Sequence, residues 1–304
     1  MSIKVDIVSG FLGAGKTTFL NKLIPYFGER IALIENDFGN VAIDSKILEG
    51  DIPVKEINSG CICCSLTMDF KQSIKVLVEE YNPDRIIIEP SGVGMLTDVV
   101  KACENTDESL NVKLDIDHLI TIVDVSAFYD YMEAFGAFYM DQVRNANIIF
   151  LSHIDNVTQE ELCKIKTDIL EINKSAVIFE DNWYEYDGEE LNVFLNSLHL
   201  RKTDINNING SRIDADKIFG SYSLKDVKEF TKEEIIDLMM KLKEGKGGYV
   251  VRAKGFLPFN EGKTIHFDFT PYNCSWNIID THSEPMAVII GCDLKKNELD
   301  KLFR

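Results

Sequence analysis

Along the first part of the chain, short runs of consecutive apolar residues alternate with stretches whose apolar positions recur every three or four residues. "IKVDIV" (Ile3 to Val8), "RIALIEN", "VKEIN", "DRIIIEP", "HLITIVDV", "NIIFLSHID" and "AVIFE" are strand-like: short, apolar and rich in β-branched residues. Between them, Phe19, Leu20, Leu23, Ile24 and Phe27 mark one helix, with Gly28 as its stop signal. Phe70, Ile74, Leu77 and Val78 mark a second, and 127–144 and 159–172 read as two more. Strands alternating with helices predict βαβ units, that is, a mainly parallel sheet flanked by helices on both faces. In such sheets ligands bind beyond the carboxyl ends of the strands.

The periodicity fades from Trp183, and "RKTDINNINGSRIDADK" is polar and Asn-rich, so residues 183–217 read as a linker between a first domain at 1–182 and a second at 218–304. The second part predicts a small α+β domain: strands at "IFGSYSL", "GYVVRAKGF", "KTIHFDF", "CSWNII" and "PMAVIIG", a helix over 231–244 and a short terminal helix. The net charge of -18 repels a nucleic-acid backbone and argues against that class of partner. No apolar stretch reaches the length that crosses a bilayer, and "MSIKVDIVSG" lacks the features of a secretory signal, so no membrane association and a cytoplasmic setting are expected. Seven cysteines, an odd number, do not read as a disulfide framework.

"GFLGAGKT", Gly10 to Thr17, follows a predicted strand and opens a predicted helix. In that context G-x-x-x-x-G-K-[ST] is a phosphate-binding P-loop: glycines turn backbone N–H groups toward phosphate oxygens and the helix dipole adds positive potential. Lys16 is expected on the β- and γ-phosphates and the Thr17 hydroxyl on Mg2+. The acidic partner of that ion is expected at a strand end. Glu89, followed by "PSG" with Gly92 placed toward the γ-phosphate, is the first candidate, and Asp124 at the end of "ITIVD" competes with it. "ENDFGN" brings two further carboxylates, Glu35 and Asp37, after the second strand. "LSHID" ends a later strand, where Asp155 supplies a carboxylate for guanine N1–H and N2–H, and His153 a flat ring for stacking.

"GCICC" places Cys61, Cys63 and Cys64 within five residues. Adjacent thiolates suit a soft-metal site for Zn2+, Cu+ or Co2+. A Cys61–Cys64 redox pair and ordinary buried cysteines are the other readings of the same residues.

With the P-loop, "ENDFGN", "GCICC", "IIIEPSG" and "SHID" in this order, the chain resembles the CobW-like metallochaperone GTPases, relatives of UreG and HypB. "RAKGFLPF" in the second domain is similar to the start of that family's C-terminal core. The resemblance implies a slow GTPase that binds a transition metal, zinc or cobalt, at the cysteines and delivers it to a client metalloprotein or cofactor-assembly protein. A second copy of the chain is admitted as a further partner. Its implied cofactors are GTP and Mg2+. Carried over by position, Gly10, Gly13, Ala14, Gly15, Lys16, Thr17, Thr18 and Gly92 hold phosphates and Thr17 holds Mg2+. Lys16, Glu35, Asp37 and Glu89 serve hydrolysis, Ser152, His153 and Asp155 face the base, and Cys61, Cys63 and Cys64 bind the transported metal. Ser152 and His153 stand where the family has Asn and Lys, which leaves GTP against ATP open. Asn40 stands where it often has Glu, and the five histidines form no metal-storing tract. The rival readings are a P-loop NTPase of another class with structural or redox cysteines, and a non-catalytic nucleotide- or metal-binding regulator.

Overall fold

The computed structural model describes residues 2–36, 53–57, 66–107, 113–198, 218–259, 262–279 and 284–304. The first compact unit is built on seven parallel strands: β1 (Ser2–Gly10), β2 (Ile31–Asn36), β3 (Val54–Ile57), β4 (Arg85–Glu89), β5 (Lys113–Asp124), β6 (Ile148–Ser152) and β7 (Val177–Phe179). Their order is β3-β2-β4-β1-β5-β6-β7, so β1 is central and the chain moves outward in both directions from it. The predicted mainly parallel sheet with flanking helices is what the chain adopts. Its central strands are buried on both faces, which is why they read as continuous apolar runs: Ile86, Ile87 and Ile88 are all at most 1% exposed.

Helix α1 (Lys16–Leu23) and helix α6 (Gly188–Ser197) pack together over Val8, Leu33, Ile87, Ile120 and Phe150. The second helical layer runs through neighbouring contacts from α2 (Leu66–Tyr81) to α3 (Leu96–Asp107), α4 (Phe128–Arg144) and α5 (Gln159–Ile172). Thr158 and Glu161 form a reciprocal capping box at the start of α5, which sets its first turn. The stretch read as linker from Trp183 is folded through residue 198 and belongs to this unit. Trp183 and Leu191 are fully buried in the α1 core, and Asp187 and Glu190 form a second capping box for α6. Its few apolar anchors sit among polar residues, so composition hides a helix whose cap is nevertheless written in the sequence.

The second unit carries an antiparallel sheet of β8 (Gly220–Leu224), β9 (Tyr249–Phe259), β10 (Lys263–Phe269), β11 (Cys274–Ile279) and β12 (Met286–Cys292), ordered β11-β10-β9-β12-β8. Helices α7 (Lys232–Lys243) and α8 (Lys296–Phe303) contribute Leu238, Leu242, Leu299 and Phe303 to a core with Ala253, Leu257, Phe267 and Ile289. This is the α+β arrangement the pattern predicts.

A buried ionic group lies among the strands of the first unit. Asp6, in mid-β1, is 2% exposed and lies in register with His118 of β5. Arg85, 1% exposed, bonds to Asp6 through Nη1 and to Asp117 through Nη2 at 3.3 Å, and its Nε lies 3.4 Å from Glu29. His118 Nδ1 is 2.9 Å from the other Asp6 oxygen. Burial opposes the charged imidazole, but the hydrogen bond and charge of Asp6, with Asp117 adding, outweigh it and hold His118 above the ordinary histidine value. A raised native value stabilises the fold fully below the unfolded histidine value of about 6.5, and that contribution fades as pH climbs through the native value. His118→Gln should therefore flatten stability between mildly acidic and alkaline pH. Arg85→Met, which strands Asp6, should cost about 3–5 kcal/mol. Denaturant unfolding at several pH values checks both.

Candidate functional site

The carboxyl ends of the five central strands form one rim, and the residues there are Asn36, Glu89, Gly10, Asp124 and Ser152. Gly10 has φ 147°, and a Cβ on it would meet the Ile122 carbonyl oxygen at 2.6 Å, so the loop leaves β1 hard against β5. Gly13 and Gly15 have φ 78° and 101°, and Gly15 caps α1 without any side-chain hydrogen bond to its first turn. The orphan N–H groups of that turn are thus not taken by a side-chain cap, which is how a helix start receives an anion. The Ala14 amide donates to the Phe11 carbonyl and shapes the turn. Thr18 is exposed at the same helix start.

Lys16 is buried, and its ammonium donates to the carbonyl oxygens of Gly10 (3.0 Å) and Phe11 (3.4 Å). The Thr17 hydroxyl donates to Glu89 Oε1 at 3.2 Å. Asp124, the competing carboxylate, instead caps the following turn by accepting from the Ser126 amide at 2.9 Å. Glu35 is 7% exposed and faces Glu89 in register on the neighbouring strand. Two buried carboxylates, a lysine and a hydroxyl thus gather beside one uncapped helix start. Asp37, Cys61, Cys63 and Cys64 lie outside the described residues.

The loop after β4 is held from both sides. A Cβ on Gly92 would lie 2.7 Å from the Leu12 amide nitrogen of the phosphate loop. Behind it, Gln142 of α4 donates to the carbonyls of Gly92 (3.2 Å) and Gly94 (2.8 Å), and Asp141 accepts from the Thr97 amide and hydroxyl. The same helix boxes in Phe11, whose ring lies 4.5 Å from Tyr131, 5.0 Å from Phe135 and 5.6 Å from Tyr139. Sequence reading passed over Gln142 and Asp141. Two polar residues on the apolar side of a helix were the available signal, since buried polar groups need partners.

At the far end of the rim, Ser152 is fully buried and donates inward to the Val123 carbonyl at 3.3 Å. His153 takes a left-handed conformation, φ 58°, with Nε2 3.9 Å from Asp124. Asp155 opens onto solvent and accepts from Asn182 Nδ2 at 3.3 Å. Among the described residues, Asp6, Asp117 and His118 alone cluster as metal ligands would, but the Arg85 guanidinium already supplies their positive charge.

Residues 4–180 match the family model for the CobW/HypB/UreG nucleotide-binding domain. The chain is 32% identical over 192 residues to the zinc chaperone CobW of Sinorhizobium sp, covering 58% of this chain and 52% of that protein. It is 29% identical over 211 residues to Zinc-regulated GTPase metalloprotein activator 1 of Dictyostelium discoideum, covering 57% and 44%. The chain therefore spans about half the length of the curated relatives it matches. Among solved structures, the Zn(II)-bound YjiA GTPase from E. coli is similar at 22% identity, with 99% of this chain and 98% of that chain covered and a TM-score of 0.47.

The close approach at Gly92 gives a direct check. Gly92→Ala drives a methyl into the Leu12 backbone and should destabilise the protein by about 1–3 kcal/mol. Gly28→Ala, with nothing within 4 Å, should be close to neutral. Thermal melts of the two variants compare them.

Proposed function

The chain belongs to the CobW/HypB/UreG family of GTPases, and on that premise we propose that it hydrolyses GTP slowly and couples this to delivery of a transition metal, zinc or cobalt, to a client protein or cofactor-assembly protein in the cytoplasm. The observation that carries the reading is the Thr17–Glu89 pair, with buried Lys16 beside it at the uncapped start of α1. The cradle fits a triphosphate: Gly10, Gly13 and Gly15 hold the positive φ values that turn amides inward, and Gly92 leaves no room for a side chain against the loop.

On binding, Lys16 exchanges the carbonyls of Gly10 and Phe11 for phosphate oxygens, a move of one side chain with no change of fold. The amides of residues 13–18 take the remaining phosphate oxygens. Thr17 and Glu89 would hold Mg2+, which supplies charge neutralisation at the β- and γ-phosphates. Glu35 or Asp37 orients the attacking water, and Gly92 offers its amide to the γ-phosphate. Asp155 accepts from guanine N1–H and N2–H, donors that adenine lacks, so it favours GTP over ATP. His153 packs on the base. The transported metal is a substrate here, taken by the thiolates of Cys61, Cys63 and Cys64, whose softness suits zinc or cobalt. The cysteine segment lies in sequence between Glu35–Asp37 and Glu89, so nucleotide that orders the flanking segments tightens metal binding, and metal tightens nucleotide by the same factor.

Phosphate release from GTP and ATP tests the enzymatic half. Lys16→Ala should lower turnover about 100-fold or more, the loss typical of a group that stabilises transition-state charge. Asp155→Asn should lose guanine preference and gain xanthosine triphosphate, whose ring offers the complementary acceptor. The transport half is read by cobalt absorption under reducing conditions. A thiolate-to-cobalt band should strengthen with Mg2+ and a non-hydrolysable GTP analogue and vanish when Cys61, Cys63 and Cys64 are changed to Ala. A band indifferent to nucleotide would break the coupling.

A further inference from the structure

Residues 182–186 carry no motif, yet they bridge the phosphate loop and the turn after β6. Lys22 of α1 donates to the carbonyls of Tyr184 (2.6 Å) and Tyr186 (2.8 Å). Asn182 accepts from the Tyr184 amide at 3.2 Å and donates to Asp155 at 3.3 Å. The segment is thereby fastened to α1 on one side and to the base-facing carboxylate on the other.

An aromatic column rises through this segment to the rim. Trp183, fully buried, meets Phe19 edge-on at 5.5 Å between ring centroids. Tyr184 stacks on Trp183 at 3.9 Å and 24°. The hydroxyl of Tyr184 stands over the phosphate loop, since a Cβ on Gly15 would come within 2.9 Å of it. Burial, with the Asp124 carboxylate adding, pushes that hydroxyl up to about 12, so it stays a neutral donor. The next ring is His153, 6.2 Å away and tilted by 45°. That last step is the widest of the column above Phe19. Two rings that hold a third between them stand about 7 Å apart, twice a van der Waals contact. To hold a purine the two rings must turn toward parallel from their 45° inclination and part by about 1 Å.

We propose that Tyr184 and His153 clamp the purine ring of the bound nucleotide between them, with the Tyr184 hydroxyl directed along the ribose toward Gly15 and Asp155 left as the sole reader of guanine. The proposal rests on the nucleotide-binding reading above. It accounts for Ser152, which is turned inward onto Val123 and leaves the base. The two rings supply the hold that a longer polar side chain there would give. It also gives a use to the costly left-handed backbone of His153.

The test uses the full chain in a Trp276→Phe background, where Trp183 is the one tryptophan left of two. Titration with GDP, GTP and ADP should change its emission through the Tyr184 stack. Tyr184→Leu should weaken GDP and GTP alike by roughly 5- to 150-fold, the loss of one base–aromatic stack. It should keep the guanine-over-adenine ratio and raise KM rather than lower kcat. Tyr184→Phe, which keeps the ring, should lose less than Tyr184→Leu, and His153→Ala should lose by a factor similar to Tyr184→Leu. Equal affinity of Tyr184→Leu and the parent, or equal losses in Tyr184→Leu and Tyr184→Phe, overturns the clamp. If Asp155→Asn loses guanine preference while Tyr184→Leu binds normally, the GTPase reading stands and the clamp falls. A parent that binds no guanine nucleotide overturns both.

Discussion

At the rim, the arrangement depends on glycines where backbone meets backbone with no space for a side chain. At Gly10 the loop leaves β1 against the Ile122 carbonyl, and at Gly92 the loop after β4 lies against the Leu12 amide. These approaches bring the ends of β1, β4 and β5 into one rim and bring Thr17 within hydrogen-bonding reach of Glu89. Any Cβ at either point would push these segments apart. Helix α4 reinforces the contact from behind, through the Phe11 aromatic box and the two hydrogen bonds from Gln142. Helix α4, kinked at Gly136, therefore touches both loops: Tyr131 and Phe135 before the kink meet Phe11, and Gln142 after it holds Gly92 and Gly94.

Charge is handled differently along the same strands. In mid-sheet, Arg85 and His118 pair with Asp6, with Asp117 and Glu29 at the margin, and that group costs desolvation to keep. At the carboxyl rim, Lys16 rests on loop carbonyls, which suits a cation that exchanges one set of oxygens for another. The mid-sheet group is structural because its charges are already matched. The rim differs in that its lysine and hydroxyl lie at a helix start with no side-chain cap.

The 182–186 segment joins α1, through Lys22, to the turn after β6, through Asp155. Its attachment through Lys22 and Asn182 means that α1, the base-facing carboxylate and the aromatic column share one frame.

Strand and helix periods are local, so the alternation of apolar runs with three-to-four spacing was enough to determine a mainly parallel sheet, four of its flanking helices and a small α+β unit, while the helices at Leu96–Asp107 and Gly188–Ser197 were not read from it. The P-loop was equally legible, because "GFLGAGKT" encodes its own turn, amides and helix start within eight residues. The metal-binding reading of Cys61, Cys63 and Cys64 likewise rests on adjacency in sequence. What needed the tertiary structure were contacts between distant segments. Glu89 and Asp124 both end strands beside β1, and only side-chain geometry separates the Thr17 partner from the carboxylate that caps its own turn. Trp183 and Tyr184 sit in a polar stretch that composition assigns to a linker, yet one fills the α1 core and the other reaches Gly15. No local period encodes such meetings, because they are set by where β7 returns the chain, and that position follows from the packing of the whole sheet.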